Sequence, residues 1–312
     1  MKLKTEIPTN KHPEPITYDS NIIMIGSCFS DNIGDKLNYY KFKNFVNPNG
    51  ILFNPVSIEN VIKEAIDKKQ YHEDDLFHYD GLWHSFNHHS KFSGPTPELK
   101  EKNENVIEFY EALKKVTHIF ITLGTAWVYR YLKTNEVVAN CHKIPQKKFK
   151  KELLSVAEIE KSLGSILELV KSVNKSISVT FTVSPVRHLK DGFVENQLSK
   201  AHLLTAIHKI IKGNDVAYFP AYEIMMDDLR DYRFYKEDMV HPNKLAINYI
   251  WEKFTNAFMT EDTIKTMSEI EQLQKELGHR PIHPQSENHK KFIVATNKKL
   301  LAFREKYPAI KF

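Results

Sequence analysis

Cysteine is nearly absent: Cys28 and Cys141 are the only two in 312 residues. Two thiols so far apart in sequence do not make a disulfide framework, and they suit a reducing cytoplasm, the expected location. No apolar run approaches the ~20 residues needed to span a bilayer. Residues 1–20 are polar and hold Pro8, Pro13 and Pro15, so an extended arm is expected there rather than a signal peptide. Charge of one sign is not in excess. The 44 basic residues face 39 acidic ones, and the net +5 is spread along the chain, which argues against a nucleic-acid partner. No internal repeat or low-complexity segment is visible. What is present suffices for a sizeable core, with 41% hydrophobic and 12% aromatic residues.

Short apolar runs alternate with helical patterns. Ile22–Ile25, Phe42–Val46, His118–Gly124, Ile177–Val183 and Val216–Phe219 read as strands. Helices are expected from Ser30 and Asp31, as N-caps, to about Tyr39, and from a Ser57 cap to about Lys68. Further helices are expected over 98–115, 154–173, 195–212, 243–258, 263–277 and 284–306. The alternation predicts an α/β fold with a parallel sheet and helices on both faces. Ligands in such sheets bind outside the carboxyl ends of the strands, where Gly26–Cys28, Gly124–Trp127 and Ser184–His188 should converge. Residues 133–150 read as a polar excursion. Residues 69–97, rich in histidine and aromatics and closed by Ser93-Gly94-Pro95-Thr96-Pro97, read as a lid-like loop or hairpin. The expected domains are an α/β domain over 1–260 and a helical extension over 261–312, packed on it or used in a homodimer.

The chemistry centres on Gly26-Ser27-Cys28, where a strand turns into a helix. A hydroxyl and a thiol stand side by side there, near backbone N–H groups and a helix N-terminus. A nucleophile needs a base, and the base an orienter. Asp238 and His241, three apart before a helix, can supply both, with Pro242 in its first turn. His84 and His88 have the i, i+4 spacing of a helical metal pair, but Gly81 and the nearby aromatics argue against a helix. Neither a metal nor a cofactor is expected.

Gly26-Ser27-Cys28-Phe29-Ser30 resembles the signature of the GSCFA-domain family, within the SGNH/GDSL hydrolase superfamily. Gly50-Ile51-Leu52-Phe53-Asn54-Pro55, Leu123-Gly124-Thr125-Ala126-Trp127, Ser184-Pro185-Val186-Arg187-His188 and Asp238-x-x-His241 support it, spanning residues 22–243. The resemblance implies a three-layer α/β/α, flavodoxin-like domain with ester-hydrolase or acyl-transfer chemistry on a small-molecule or glycan ester, away from membranes. Aligned on Gly26, Cys28 takes the superfamily's nucleophile position and Ser27 its aspartate position; a one-residue shift restores serine as nucleophile. The resemblance makes the Gly50 N–H an oxyanion donor. The superfamily's third-block asparagine is missing at Ala126, and Thr125 and Asn140 are the candidate replacements. His89, His142, Arg187 and His188 are candidate substrate contacts. Three readings follow: an esterase, an O-acetyltransferase on a glycan, or a ligand-binding module that has kept the scaffold without the catalysis.

Overall fold

The computed structural model describes residues 5–312. The order begins with β1 (Asn21–Gly26), α1 (Cys28–Tyr39), β2 (Lys43–Val46) and α2 (Pro55–Ile66). A short hairpin, β3 (Phe77–Tyr79) with β4 (Leu82–His84), precedes α3 (Leu99–Lys115) and β5 (His118–Leu123). Next come β6 (Trp127–Tyr131), β7 (Glu136–Val138) and β8 (Phe149–Leu153), then α4 (Val156–Val173), β9 (Ser178–Val183), α5 (Phe193–Ile211) and β10 (Ala217–Phe219). One turn, α6 (Ala221–Glu223), runs into a π-helix (Ile224–Asp228), followed by α7 (Lys244–Phe258), α8 (Glu261–Leu277) and α9 (Glu287–Lys306). Among the described residues no helix is long and apolar enough to cross a membrane.

The central sheet has five parallel strands in the order β10-β9-β5-β1-β2. Its inner strands are covered on both faces, so β5 and β9 are buried at every position, including Thr122, Thr180 and Thr182. Alternation along β1 assigns each side chain to a layer. Ile23 and Ile25 join the core formed with α2, α3, α4 and α5, whereas Ile22 and Met24 join the one formed with α1 and α7. The second layer is aromatic: Phe120 meets Phe254 and Phe258 from α7. The expected α/β fold is therefore observed, with α8 and α9 beyond the sheet. The chain adds β2 on one side of β1 and β5 on the other. Strand order thus reverses at β1 and β5, which places a crevice at their carboxyl ends.

Three helix starts differ from expectation. Ser27 caps α1, Asn54 caps α2 with Pro55 at its first position, and Asn243 caps α7. Each capping residue has extended backbone and a side-chain oxygen that accepts an early helical N–H, so Ser30, Asp31 and Ser57 lie inside helices and Pro242 lies before one. The excursion at 133–150 is also more regular than expected. β7 and β8 flank β6 in a three-stranded antiparallel sheet, because Val138, Ile144 and Phe149 bury themselves against Phe77 and Phe86 of the 69–97 segment.

Candidate active site

The turn from β1 into α1 is fixed from three sides. Gly26 has φ +131°, and a Cβ there would lie 2.1 Å from the Thr122 carbonyl oxygen, so only glycine fits beside β5. Its N–H donates to Asn47 Oδ1 at 2.8 Å, and its carbonyl accepts the Leu52 N–H at 2.8 Å. The Ser27 N–H donates to the Thr122 carbonyl at 3.1 Å. Asn47 Nδ2 donates to Asp31 Oδ1 at 2.6 Å, joining the loop after β2 to the first turn of α1.

The two candidate nucleophiles are placed differently. Ser27 is fully buried, and its Oγ accepts the Phe29 N–H at 3.3 Å. Cys28 is half-buried with a free thiol at the first helical position. Burial pushes that thiol up and Asp31 adds to the rise, while Lys200, the residue's own backbone N–H and Lys236 pull it down.

Asp238 and His241 form the expected pair. Asp238 Oδ1 accepts the Val240 and His241 N–H groups at 2.9 Å each, and the His241 Nδ1–H donates to Oδ2 at 2.7 Å. Those two backbone donors, with the imidazole, hold the Asp238 carboxyl down at about 2. With Nδ1 committed to Asp238, His241 Nε2 carries the free lone pair. The turn has Met239 at φ +56°, and the Lys236 N–H donates to the His241 carbonyl at 2.7 Å. Among the described residues no hydrogen bond joins His241 to Cys28 or Ser27.

Beneath the crevice lies a residue the sequence reading missed. Lys200 of α5 is fully buried, and its Nζ donates to the Gly124 and Ser184 carbonyls at 2.8 Å each. Burial pushes it down to about 7, Cys28 opposing that shift and Arg187 adding to it. His188 stands over the same floor, edge-on to Phe53. Its N–H donates to Asn196 Oδ1 at 2.8 Å, and its Nε2 is buried without a partner. Burial, then Lys200 and His241, push His188 down to about 3. Lys200 therefore acts on both Cys28 and His188, Lys236 acts on Cys28, and His241 acts on His188. The three strand-end segments do converge, with Lys200 as the pin between β5 and β9.

The remaining candidates have other engagements. The Gly50 N–H (φ +80°) donates to the Asn47 carbonyl at 2.8 Å. Thr125 Oγ1 shares a hydrogen bond with Ser199 Oγ at 3.0 Å and accepts the Trp127 N–H at 3.1 Å. Asn140 Oδ1 accepts the His142 N–H at 2.8 Å. The His142 ring is buried against His84 and the Ser85 carbonyl, and burial pushes it down to about 4. The His89 N–H donates to the Asn49 carbonyl at 2.9 Å, while Asn49 Nδ2 meets His88 Nε2 at 3.1 Å, so the lid segment is docked on the 47–50 loop. Arg187 lines a pocket beside Met239. A larger cavity of about 1250 Å³ opens between the lid, α2 and the small antiparallel sheet, and neither Cys28 nor His241 lines it. No group of three or more His, Cys, Asp or Glu among the described residues is arranged to hold a metal ion.

Comparison with known proteins places these motifs. The model of the GSCFA family matches residues 21–254, and that of the GSCFA domain protein C-terminal domain matches 270–312. None of the curated proteins compared with the chain matches it. Among solved structures, a carbohydrate esterase family 3 from Talaromyces cellulolyticus is 8% identical over 80% of this chain and 99% of its own, at a TM-score of 0.37. A mutant acetyl esterase with an acetate ion is 9% identical over 80% and 99%, at 0.36. A Streptococcus pneumonia protein described by reference to platelet activating factor is 10% identical over 76% and 83%, at 0.41.

Proposed function

The chain belongs to the GSCFA family, and from that premise we propose an ester- or thioester-cleaving enzyme of the SGNH/GDSL type with Cys28 as nucleophile. The observation that carries this reading is the Asp238–His241 pair, with Nδ1 committed at 2.7 Å and Nε2 free. His241 Nε2 takes the Cys28 thiol proton, and sulfur attacks the acyl carbon. As the tetrahedral intermediate collapses, the carbon–oxygen or carbon–sulfur bond to the leaving group breaks, and the imidazolium gives its proton to that group. Water, deprotonated by the same imidazole, then hydrolyses the acyl-cysteine and restores the thiol. Proton transfer requires Nε2 within about 3 Å of its partner.

The oxyanion forms beside the Cys28 N–H at the start of α1. A Gly50 contribution requires its N–H to leave the Asn47 carbonyl. Lys200, pinned under the crevice, supplies a positive field in place of the absent third-block asparagine. Ser27 serves as helix cap in this scheme.

The test is hydrolysis of 4-nitrophenyl acetate by single variants. Cys28→Ala and His241→Ala should each lower kcat/KM by roughly a thousandfold or more, and Ser27→Ala by less than tenfold, on the usual scale for nucleophile, base and bystander. An unchanged His241→Ala rate would remove the mechanism. A second reading is transfer of the acyl group to a glycan, favoured by the polar and aromatic 69–97 segment, which docks on the 47–50 loop beside the Cys28 bend. Mass analysis of products formed with and without an oligosaccharide acceptor separates the two. Binding of either substrate without turnover would leave a non-catalytic module.

A further inference from the structure

Beside the Asp238–His241 turn lies a pocket of about 700 Å³, within the range of small-molecule sites. Its wall is mostly apolar, with Phe193, Met226, Tyr232, Tyr235 and Met239. Tyr232 and Phe193 are 74% and 66% exposed, so two aromatic side chains stand uncovered at the rim. Met226 comes from the π-helix, an irregularity that recurs at functional sites, and Met239 from the positive-φ corner of the His241 turn. Thioethers adapt to apolar partners of irregular shape.

One charge in this wall is unmatched. Arg230 pairs with Asp227, and Asp231 with Arg233. The Arg187 side chain makes no hydrogen bond or ion pair with the described residues, and its Nε is buried without a partner. Its charge acts on Lys200 and on the hydroxyls of Tyr222 and Tyr235. A guanidinium held this way lacks an acceptor, and its planar fork fits a carboxylate or phosphate.

We propose that this pocket takes the leaving-group half of the substrate, and that this half is an aromatic or similarly sized apolar body carrying an anionic group bound by Arg187. The assignment rests on the reading of His241 as the acid that protonates the leaving group. Met239 lies two residues from His241 in the same turn, and Arg187 directly precedes His188 of the crevice, so the pocket adjoins the site.

The probes are two anionic phenols, 4-hydroxybenzoate and 4-hydroxyphenyl phosphate, titrated calorimetrically into the full chain. At least one should bind, and the tighter of the two tells whether carboxylate or phosphate is preferred. Arg187→Gln should weaken binding roughly ten- to hundredfold, the range for a lost charge-assisted hydrogen bond. Lys100→Gln, an exposed charge of α3 removed outside the pocket, should change it less than twofold. Met226→Trp, which fills the pocket and leaves the charge, should weaken it as well. In turnover, 4-acetoxybenzoate should be preferred over its neutral methyl ester by tenfold or more in kcat/KM, and Arg187→Gln should bring that ratio toward one. Binding of neither phenol, or binding indifferent to both Arg187→Gln and Met226→Trp, overturns the proposal. Arg187-dependent binding without hydrolysis of either ester sustains the pocket and overturns the esterase reading. Hydrolysis of both esters at equal rates, without Arg187-dependent binding, sustains the esterase reading and overturns the pocket.

Discussion

Ser27 and Cys28 are neighbours in one bend and have opposite surroundings. Successive residues at a helix start are rotated by about 100°. The serine hydroxyl therefore turns inward to cap Phe29, while the thiol stays at the crevice. Nothing in the residue types separates the two, and only the cap geometry does. Lys200 is the matching case below them. In wild type, the midpoint for alkylation of Cys28 by iodoacetamide should lie above the ordinary thiol value, because burial dominates. Lys200, held down at about 7, is already neutral where this thiol ionises, so Lys200→Met should leave the midpoint in place, read by pH-dependent alkylation in a Cys141→Ser background. A midpoint that moves up in a folded variant would show that the ammonium persists beside the thiolate.

At the scale of elements, the sheet was legible because short runs rich in apolar and β-branched residues alternate with helical patterns. The convergence of the Gly26, Gly124 and Ser184 segments followed from the rule for carboxyl strand ends. The two groups that bind this convergence together were not legible. Asn47 sits in Asn47-Pro48-Asn49-Gly50, which any turn would use, and its contacts to Gly26 and Asp31 are long-range. Lys200 looks like a solvated helix lysine. Its signal was in the spacing: Asn196, Ser199 and Lys200 share the helical stripe of Leu203, Ala206 and Ile207, and all six are buried. The predictions at this scale concern packing. Gly26→Ala meets both the φ of +131° and the Thr122 carbonyl, and should cost about 3 kcal/mol or more in urea unfolding. Phe254→Ala opens the aromatic layer among Phe120, Phe219 and Phe258 and should cost about 3–5 kcal/mol. A loss below 1 kcal/mol in either would contradict the packing described.

The whole molecule should be sensitive to acid. Burial holds His88 at about 3, His142 at about 4 and His188 at about 3. All three lie below the free imidazole value, so the unfolded chain binds protons that the folded chain refuses. Stability is then complete above about pH 6.5 and falls as pH drops toward these folded values, by roughly 2 kcal/mol per histidine at pH 5. Thermal melts at pH 7.5 and 5 should show the drop. His142→Gln, which cannot protonate, should narrow the difference between the two pH values even if it lowers both melting temperatures. An equal difference in wild type and variant would contradict the burial argument.

Asn47 and Asn49 are separated only by Pro48, whose ring fixes its φ. The first is tied to the bend that bears the thiol, and the second to His88 in the lid. The intervening residue has little freedom to absorb strain, so the pair works as a yoke. The histidine-rich segment and the bend that carries Cys28 therefore hang from one stiff link of three residues, so neither can be repositioned without the other.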